Sequence, residues 1–104
     1  TIKFLDGFNT GDEMMTPVAQ GLIGDSFAQL EQYEEALSYY LAAAELSDND
    51  LTTPLYLLKA GTIALRLDKN EVALKAFTRI VDEFKDSVEA NQAKVYKAQA
   101  QAKL

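Results

Sequence analysis

The sequence repeats itself at an offset of 37 residues, and this repeat constrains the fold more than any other feature. Identical residues recur at this spacing in the same order: Pro17 and Pro54, Gly24 and Gly61, Leu30 and Leu67, Glu34 and Glu71, Ala36 and Ala73, Leu37 and Leu74. Tyr40 matches a similar aromatic residue, Phe77. A period between about 20 and 50 residues is typical of stacked structural units rather than of one closed globule. We therefore expect a repeat architecture, which favours binding over catalysis.

Each copy of the repeat contains two segments with helical periodicity, and no segment shows the alternation typical of a strand. A threonine–proline pair is expected to open the first helix of each copy, at Thr16-Pro17 and at Thr53-Pro54, because a hydroxyl N-cap followed by proline favours a helix start. Asn70 is the expected N-cap of the second helix in the second copy. The sequence therefore predicts an all-α fold.

A fifth helix is predicted beyond the second copy. Asp86 and Glu89 have the spacing of a capping box, and the helix that they open is expected to end near Lys103. One side of this segment is small and moderately apolar, whereas the other is polar. That profile is typical of a helix that caps the end of a repeat array.

Composition excludes most kinds of catalytic site. The chain has no cysteine and no histidine, so the usual ligands of zinc, haem and iron–sulfur clusters are missing, as are thiol and imidazole catalysts. It has no glycine-rich nucleotide-binding loop. Adjacent acids such as Glu34 and Glu35 point apart on a helix, so they do not form an acid–base pair. We predict that the protein is not an enzyme and binds no metal or cofactor.

Charge is unevenly distributed along the chain. Residues 1–58 carry ten acids and one base, a balance of −9, whereas residues 59–104 carry six acids and nine bases, a balance of +3. This asymmetry can attract a basic partner to the first half or orient head-to-tail association, although two differently solvated surfaces would give the same pattern. Nucleic acid is not an expected partner, because phosphate binding needs clustered lysine and arginine.

The beginning of the sequence suggests a piece of a longer protein. Residues 1–15 are expected to be the lead-in from a preceding repeat, with Phe4 and Phe8 as an apolar patch suited to self-association. The longest stretch without charge, residues 14–24, is too short to span a membrane and contains Pro17. Any membrane contact is therefore expected through a segment outside this chain.

The two copies resemble the tetratricopeptide repeat, over residues 17–50 and 54–87, as two 34-residue units separated by residues 51–53. The packing positions of this family are filled by Gly24, Phe27, Tyr33, Ala36, Tyr40 and Ala43 in the first unit and by Gly61, Ala73 and Phe77 in the second. The resemblance implies a right-handed α-α superhelix of two helix–turn–helix repeats, with residues 88–104 as the capping helix.

The sequence also departs from the family pattern. The glycine usual in the turn within each unit is replaced by Glu31 and by Asp68. The stretch 77–87 is similar to repeats of bacterial envelope proteins, and the stretch 21–25 looks like a group of membrane-anchored bacterial proteins whose repeats face the periplasm. That likeness implies a location in the periplasm or cell envelope, with the cytoplasm as the alternative.

The resemblance further implies a protein–protein interaction scaffold whose partner, a peptide or a protein, lies on the concave surface formed by the first helix of each unit. The residues expected on this surface are Val18, Gly21, Asp25, Ala28 and Gln29 from the first unit and Leu55, Leu58, Thr62, Leu65 and Arg66 from the second. Asp25 and Gln29 are the strongest candidates, because no packing role is expected for them. Leu55 and Leu58 are expected to pack against the next helix instead. The alternative function is a structural homo-oligomerisation module with no separate ligand.

Two further motifs have a structural interpretation as well as a functional one. Tyr39, Tyr40 and Tyr56 could anchor a partner, but tyrosines at helical spacing are more often core residues with the hydroxyl at the edge. Residues 47–50 superficially resemble a calcium loop, but they lack its glycine and its closing glutamate, so a turn between repeats is favoured.

Overall fold

The computed structural model describes residues 16–46 and 51–104, and all regular structure in this part of the chain is α-helical. Its helices are α1 (Pro17–Gln29), α2 (Tyr33–Leu46), α3 (Thr52–Arg66), α4 (Asn70–Glu83) and α5 (Glu89–Lys103). The prediction of an all-α fold is confirmed for these residues. The predictions for residues 1–15, including Phe4 and Phe8, and for residues 47–50 lie outside the described part of the chain.

Consecutive helices of the described structure pack against each other, and α3 also packs against α5. The connections 30–32, 67–69 and 84–88 are short, so helices that they join must run antiparallel to lie side by side. The ring of Phe77 on α4 stacks on Tyr96 of α5, with centroids 5.3 Å apart. The result is a layered all-helical packing in which α3 is the central element.

The start of α1 confirms the prediction made from Thr16-Pro17. The Thr16 hydroxyl oxygen accepts a hydrogen bond from the Ala19 amide at 3.1 Å, and Pro17 is the first helical residue. The prediction for α3 is wrong, because this helix begins at Thr52. Thr53 is therefore inside the first turn, where it is 1% exposed and its hydroxyl has no partner among the described residues. Pro54 fits there because amides of the first helical turn lack intrahelical partners.

The predicted caps of α4 and α5 are also wrong, although both predicted helices are present. Asn70 is the first residue of α4 rather than its N-cap, and its buried side-chain oxygen has no hydrogen-bond partner in the described structure. Val88 precedes α5 without a side-chain cap bond, so Asp86 and Glu89 do not form the expected capping box. α5 ends at Lys103, as predicted.

A Schellman turn ends α1, and its left-handed residue is a glutamate. Glu31 has a φ of 60°. The Gln32 amide donates to the Phe27 carbonyl at 2.9 Å, and the Glu31 amide donates to the Ala28 carbonyl at 3.0 Å. These two bonds satisfy carbonyls at the helix end that would otherwise lack partners.

The same turn ends α3, 37 residues later. Asp68 has a φ of 59°. The Lys69 amide donates to the Ala64 carbonyl at 2.8 Å, and the Asp68 amide donates to the Leu65 carbonyl at 3.1 Å. Both helices thus end at a left-handed residue that is not glycine.

Contacts between a glycine and an aromatic ring determine how closely the helices approach. A Cβ atom added at Gly61 would lie 2.5 Å from the ring of Phe77, and one added at Gly24 would lie 2.9 Å from the ring of Tyr40. Gly21 is covered in the same way by Tyr56. The helices of each pair therefore approach closely at Gly24 and Gly61, and Gly21 adds a contact between α1 and α3.

Alanine forms most of the remaining core. Fully buried alanines occur on α2, α3, α4 and α5: Ala36, Ala43, Ala60, Ala64, Ala73, Ala93 and Ala100. Their methyl groups leave little space between backbones. Among the described residues, the larger buried side chains of the hydrophobic core are four aromatic and four aliphatic residues: Phe27, Tyr40, Tyr56, Phe77, Ile23, Leu37, Leu57 and Ile80.

Gly61→Ala is expected to lower the free energy of unfolding by about 1–3 kcal/mol, because the methyl group would collide with a fully buried ring. Where nothing obstructs the methyl group, a glycine-to-alanine change within a helix stabilises the protein by roughly 0.5–1 kcal/mol. The sign of the change in unfolding free energy therefore shows whether the contact between Gly61 and Phe77 exists. Urea unfolding measures the change. Repeating it in a Phe77→Leu background should reduce the penalty; an equal penalty in both backgrounds would refute the ring contact.

Glu31→Gly is expected to stabilise the protein by about 0.5–1 kcal/mol, because relief of left-handed strain exceeds the extra freedom of glycine in the unfolded chain. Asp68→Gly should stabilise less, since aspartate tolerates this conformation better. Thermal and urea unfolding measure both. Gln32→Gly is the matched control: its φ is not positive, so it should destabilise. Equal signs for Glu31→Gly and Gln32→Gly would contradict this explanation.

Candidate partner-binding surface

A polar network joins α1, α2 and α3 through one carboxylate oxygen. The Tyr40 hydroxyl donates a hydrogen bond to Asp25 Oδ1. Lys59 Nζ donates to the same oxygen at 3.1 Å, and it lies 5.6 Å from the centroid of the Tyr40 ring. Asp25 therefore connects three helices, and its side chain is still 40% exposed.

The environment of Tyr40 favours the protonated form of its hydroxyl. Burial raises the pKa of its hydroxyl well above the ordinary value, and the hydrogen bond to Asp25 and the charge of Asp25 raise that pKa further. Burial disfavours a phenolate, and a neighbouring carboxylate repels one. The expectation that Asp25 has no packing role is therefore wrong, because it is the acceptor for a tyrosine that is only 4% exposed.

The other predicted residues of α1 differ widely in exposure. Val18 is 53% exposed, and Gln29 is exposed as well. Ala28 is half-buried against the core. Gly21 is buried beneath Tyr56, so its assignment to an open binding surface is corrected: the ring that covers it needs the space that a side chain would fill.

On α3, the predicted residues are held by local contacts. The Thr62 hydroxyl donates to the Lys59 carbonyl at 2.9 Å. Arg66 is exposed, and its guanidinium carbon lies 4.9 Å from the centroid of the Tyr33 ring on α2. Three leucines are partly buried against the core: Leu55, Leu58 and Leu65.

Sequence reasoning missed two residues of this surface. Leu22 belongs to the helical apolar pattern of α1, yet it is 62% exposed. It lies four residues after Val18, whereas Ile23 and Phe27 form the buried stripe, so the two spacings could have separated an outer stripe from an inner one. The other residue is Lys59, which reaches Asp25 only because α1 and α3 are neighbours in space.

These residues define what we call the α1/α3 surface: Val18, Leu22, Asp25 and Gln29 of α1 with Lys59, Thr62 and Arg66 of α3. It combines exposed apolar side chains with an ion pair, and the contact between Asp25 and Lys59 links its two halves. Such a surface can bind another protein, since apolar contacts give affinity while fixed polar groups orient the partner.

The tyrosines are core residues rather than surface anchors. Tyr40 and Tyr56 are buried, and Tyr39 is half-buried with its ring stacked on Phe27 at 5.4 Å between centroids. Of the two interpretations considered for them, packing is the one that the structure supports.

A second concave feature lies between α2 and α4 and shares no residue with the α1/α3 surface. It is an open groove of about 830 Å³. Leu41 and Glu45 of α2 line one side, and residues of α4 from Glu71 to Glu83 line the other. No sequence pattern pointed to it, because it depends on the distance between two helices that are not consecutive.

Residues 16–46 and 51–104 form neither a metal-binding cluster nor a membrane-spanning helix. Three or more acidic side chains do not come together there in an arrangement that could hold a metal ion. Among the same residues, no helix is both long enough and apolar enough to cross a membrane.

Comparisons with known proteins give no relative. The chain matches no protein-family model, and no match was found among curated proteins or solved structures.

Tyr40→Phe is expected to change how stability depends on pH. Unfolded tyrosine loses its proton near pH ~10, whereas folded Tyr40 has a raised pKa and retains it. The folded state therefore binds more protons above that pH, and stability falls as pH rises further. Tyr40→Phe should lower stability by about 1 kcal/mol at neutral pH and should lessen the alkaline loss. Urea unfolding between neutral and alkaline pH measures both effects.

The matched control is Tyr96→Phe, which removes a tyrosine that stacks on Phe77 rather than bonding to Asp25. It should leave the alkaline loss as in the unmodified protein. The explanation fails if both substitutions give the same pH dependence.

Proposed function

We propose that this chain is a tetratricopeptide-like protein-interaction module: two helix–turn–helix repeats in a right-handed superhelix, capped by α5. The support is the recurrence of structure at the sequence period. Left-handed turns at Glu31 and Asp68, and glycine–ring contacts at Gly24 and Gly61, each recur 37 residues apart. Packing of α3 against both α4 and α5 is the arrangement expected when helix pairs stack.

The α1/α3 surface is the proposed binding site for a peptide or partner protein. The observation that carries this proposal is a pair of exposed apolar side chains, Val18 and Leu22, on the same helix as the ion-paired Asp25. Tyr40 and Lys59 both donate to Oδ1 of Asp25. Its other oxygen has no bond within the described residues and can accept one from a partner.

A basic partner is proposed from the charge of the first half of the chain, because the α1/α3 surface itself has one acid, Asp25, and two bases, Lys59 and Arg66. The first 58 residues carry a balance of −9 from ten acids and one base, and such a field raises the association rate of a positively charged protein. We further propose a location in the bacterial periplasm or cell envelope, on the likeness of residues 77–87 to envelope repeats. Attachment to a membrane would then involve a segment outside this chain.

Self-association is the second candidate function, and exposed apolar residues at both ends of the described structure favour it. Val18 and Leu22 are exposed on α1, and Val95 and Leu104 are exposed on or after α5. Two copies could pair these ends head to tail, with the acidic first half of one copy against the basic second half of the other.

Leu22→Glu is expected to abolish capture of the partner by the purified chain from an extract of its source organism. The substitution places a charge in the apolar part of the proposed site, where burial without a counter-ion is unfavourable. Val88→Glu is the matched control, because Val88 is also exposed but lies outside the α1/α3 surface. Quantitative mass spectrometry of the captured proteins gives the comparison.

The proposal requires at least one protein that is lost with Leu22→Glu and retained with Val88→Glu. Equal capture by both variants would refute the α1/α3 surface as the site. Light scattering on the chain alone separates the second candidate: a mass that rises with concentration, and returns to the monomer value in Leu22→Glu, would mean that the partner is another copy.

A further inference from the structure

The groove between α2 and α4 arises from how α3 supports both helices. α2 and α4 each pack against α3 but make little contact with each other. The side chain of Leu57 on α3, which is buried in the core, lies at the bottom of the gap. The groove is therefore a gap between two well-supported walls and does not require any helix to move.

The floor of the groove is apolar. Leu41 of α2 and Val72 and Ala76 of α4 flank Leu57. Leu41 and Val72 are partly buried against the core, so each still presents apolar area to the outside. The groove has a volume of about 830 Å³, and the 12 residue steps from Glu71 to Glu83 correspond to about 18 Å along the helix axis. This length and volume suit several side chains of a bound protein segment.

The rim of the groove carries more carboxylates than cations. Four acids line it, Glu45, Glu71, Asp82 and Glu83, against two bases, Lys75 and Arg79. Arg79 is already paired: its Nε lies 3.2 Å from Glu83, and its Nη1 lies 3.9 Å from Glu45.

Two of the rim carboxylates are available to a ligand. Glu71 and Asp82 form no ion pair within the described residues, and one lysine, Lys75, lies between them along the same side of α4. A ligand on this groove therefore meets an apolar strip bordered by excess negative charge.

We propose that the α2/α4 groove is a second docking surface, separate from the α1/α3 surface, for a protein segment that presents apolar side chains flanked by lysine or arginine. The apolar residues cover Leu41 and Val72, and the basic residues approach Glu71 and Asp82. Apolar burial supplies most of the affinity, and the charges select a basic segment over an acidic one.

The test uses a short synthetic peptide of leucine and lysine, with leucines spaced to lie on one face, and a counterpart in which glutamate replaces every lysine. Methyl NMR spectra of the whole chain are recorded during titration at physiological salt. The basic peptide is expected to shift the methyl signals of Leu41, Val72 and Leu57. Shifts of Val18 and Leu22 in addition would report binding at the α1/α3 surface as a separate event. The acidic peptide should shift none of them.

A charge-reversal pair measures the contribution of the rim. Glu71→Lys with Asp82→Lys is expected to weaken binding of the basic peptide about tenfold, because two attractions become two repulsions at the surface. The matched control is Glu31→Lys with Glu35→Lys, which changes the net charge equally at exposed positions outside the groove. Circular dichroism checks that both double variants keep their helical content.

Three outcomes would overturn the proposal. In one, the basic peptide shifts the α1/α3 signals instead, which would leave that surface as the common site. In another, both double variants weaken binding equally, which would mean non-specific attraction. In the last, the groove signals move on dilution of the protein alone and the peptide has no effect, which would identify a second copy as the occupant.

Discussion

The close contact between a glycine and an aromatic ring is the interaction on which the rest of the structure depends. Gly24 lies against Tyr40 and Gly61 against Phe77, and no side chain larger than hydrogen fits beneath either ring without a shift. These contacts set the separation within each helix pair. Tyr40 then holds Asp25 at the surface, and Phe77 stacks on Tyr96 to bring α5 against α4. The polar network and the last helix are therefore both positioned by aromatic rings that pack against glycines.

The same packing gives the molecule two surfaces of different character. On the α1/α3 surface, charge is fixed in place: Asp25 accepts from Tyr40 and Lys59, and both donors belong to other helices. On the α2/α4 groove, the apolar floor is fixed, whereas Glu71 and Asp82 at the rim form no ion pair in the described structure. The first surface is suited to orienting a ligand, and the second is suited to attracting one.

The sequence predicted the helices well because their signals are local. Periodicity, Thr16-Pro17 and the recurrence of glycine and aromatic residues depend on neighbours along one chain segment. The failures are tertiary in origin. Thr53 has the sequence of an N-cap, but α3 starts earlier and the residue is buried. Asp25 and Gly21 fit a binding-surface pattern, yet each is engaged by a tyrosine distant in sequence. The groove between α2 and α4 could not be predicted from a local pattern, because residues of three helices line it.

The alanine-rich core has a consequence for the entropy of folding. An alanine side chain has no rotamers to lose when it is buried, whereas larger side chains lose up to about 2 kcal/mol of rotational freedom. Because the fully buried positions on α2 to α5 are largely alanine, little side-chain freedom is lost in the interior of this small protein. Among the described residues, the ordering of side chains is concentrated in four rings and a few leucine and isoleucine side chains, and the rings that lie against glycines decide which helix faces meet. The alanines allow close approach without specifying a partner helix, and the aromatic residues supply the specificity.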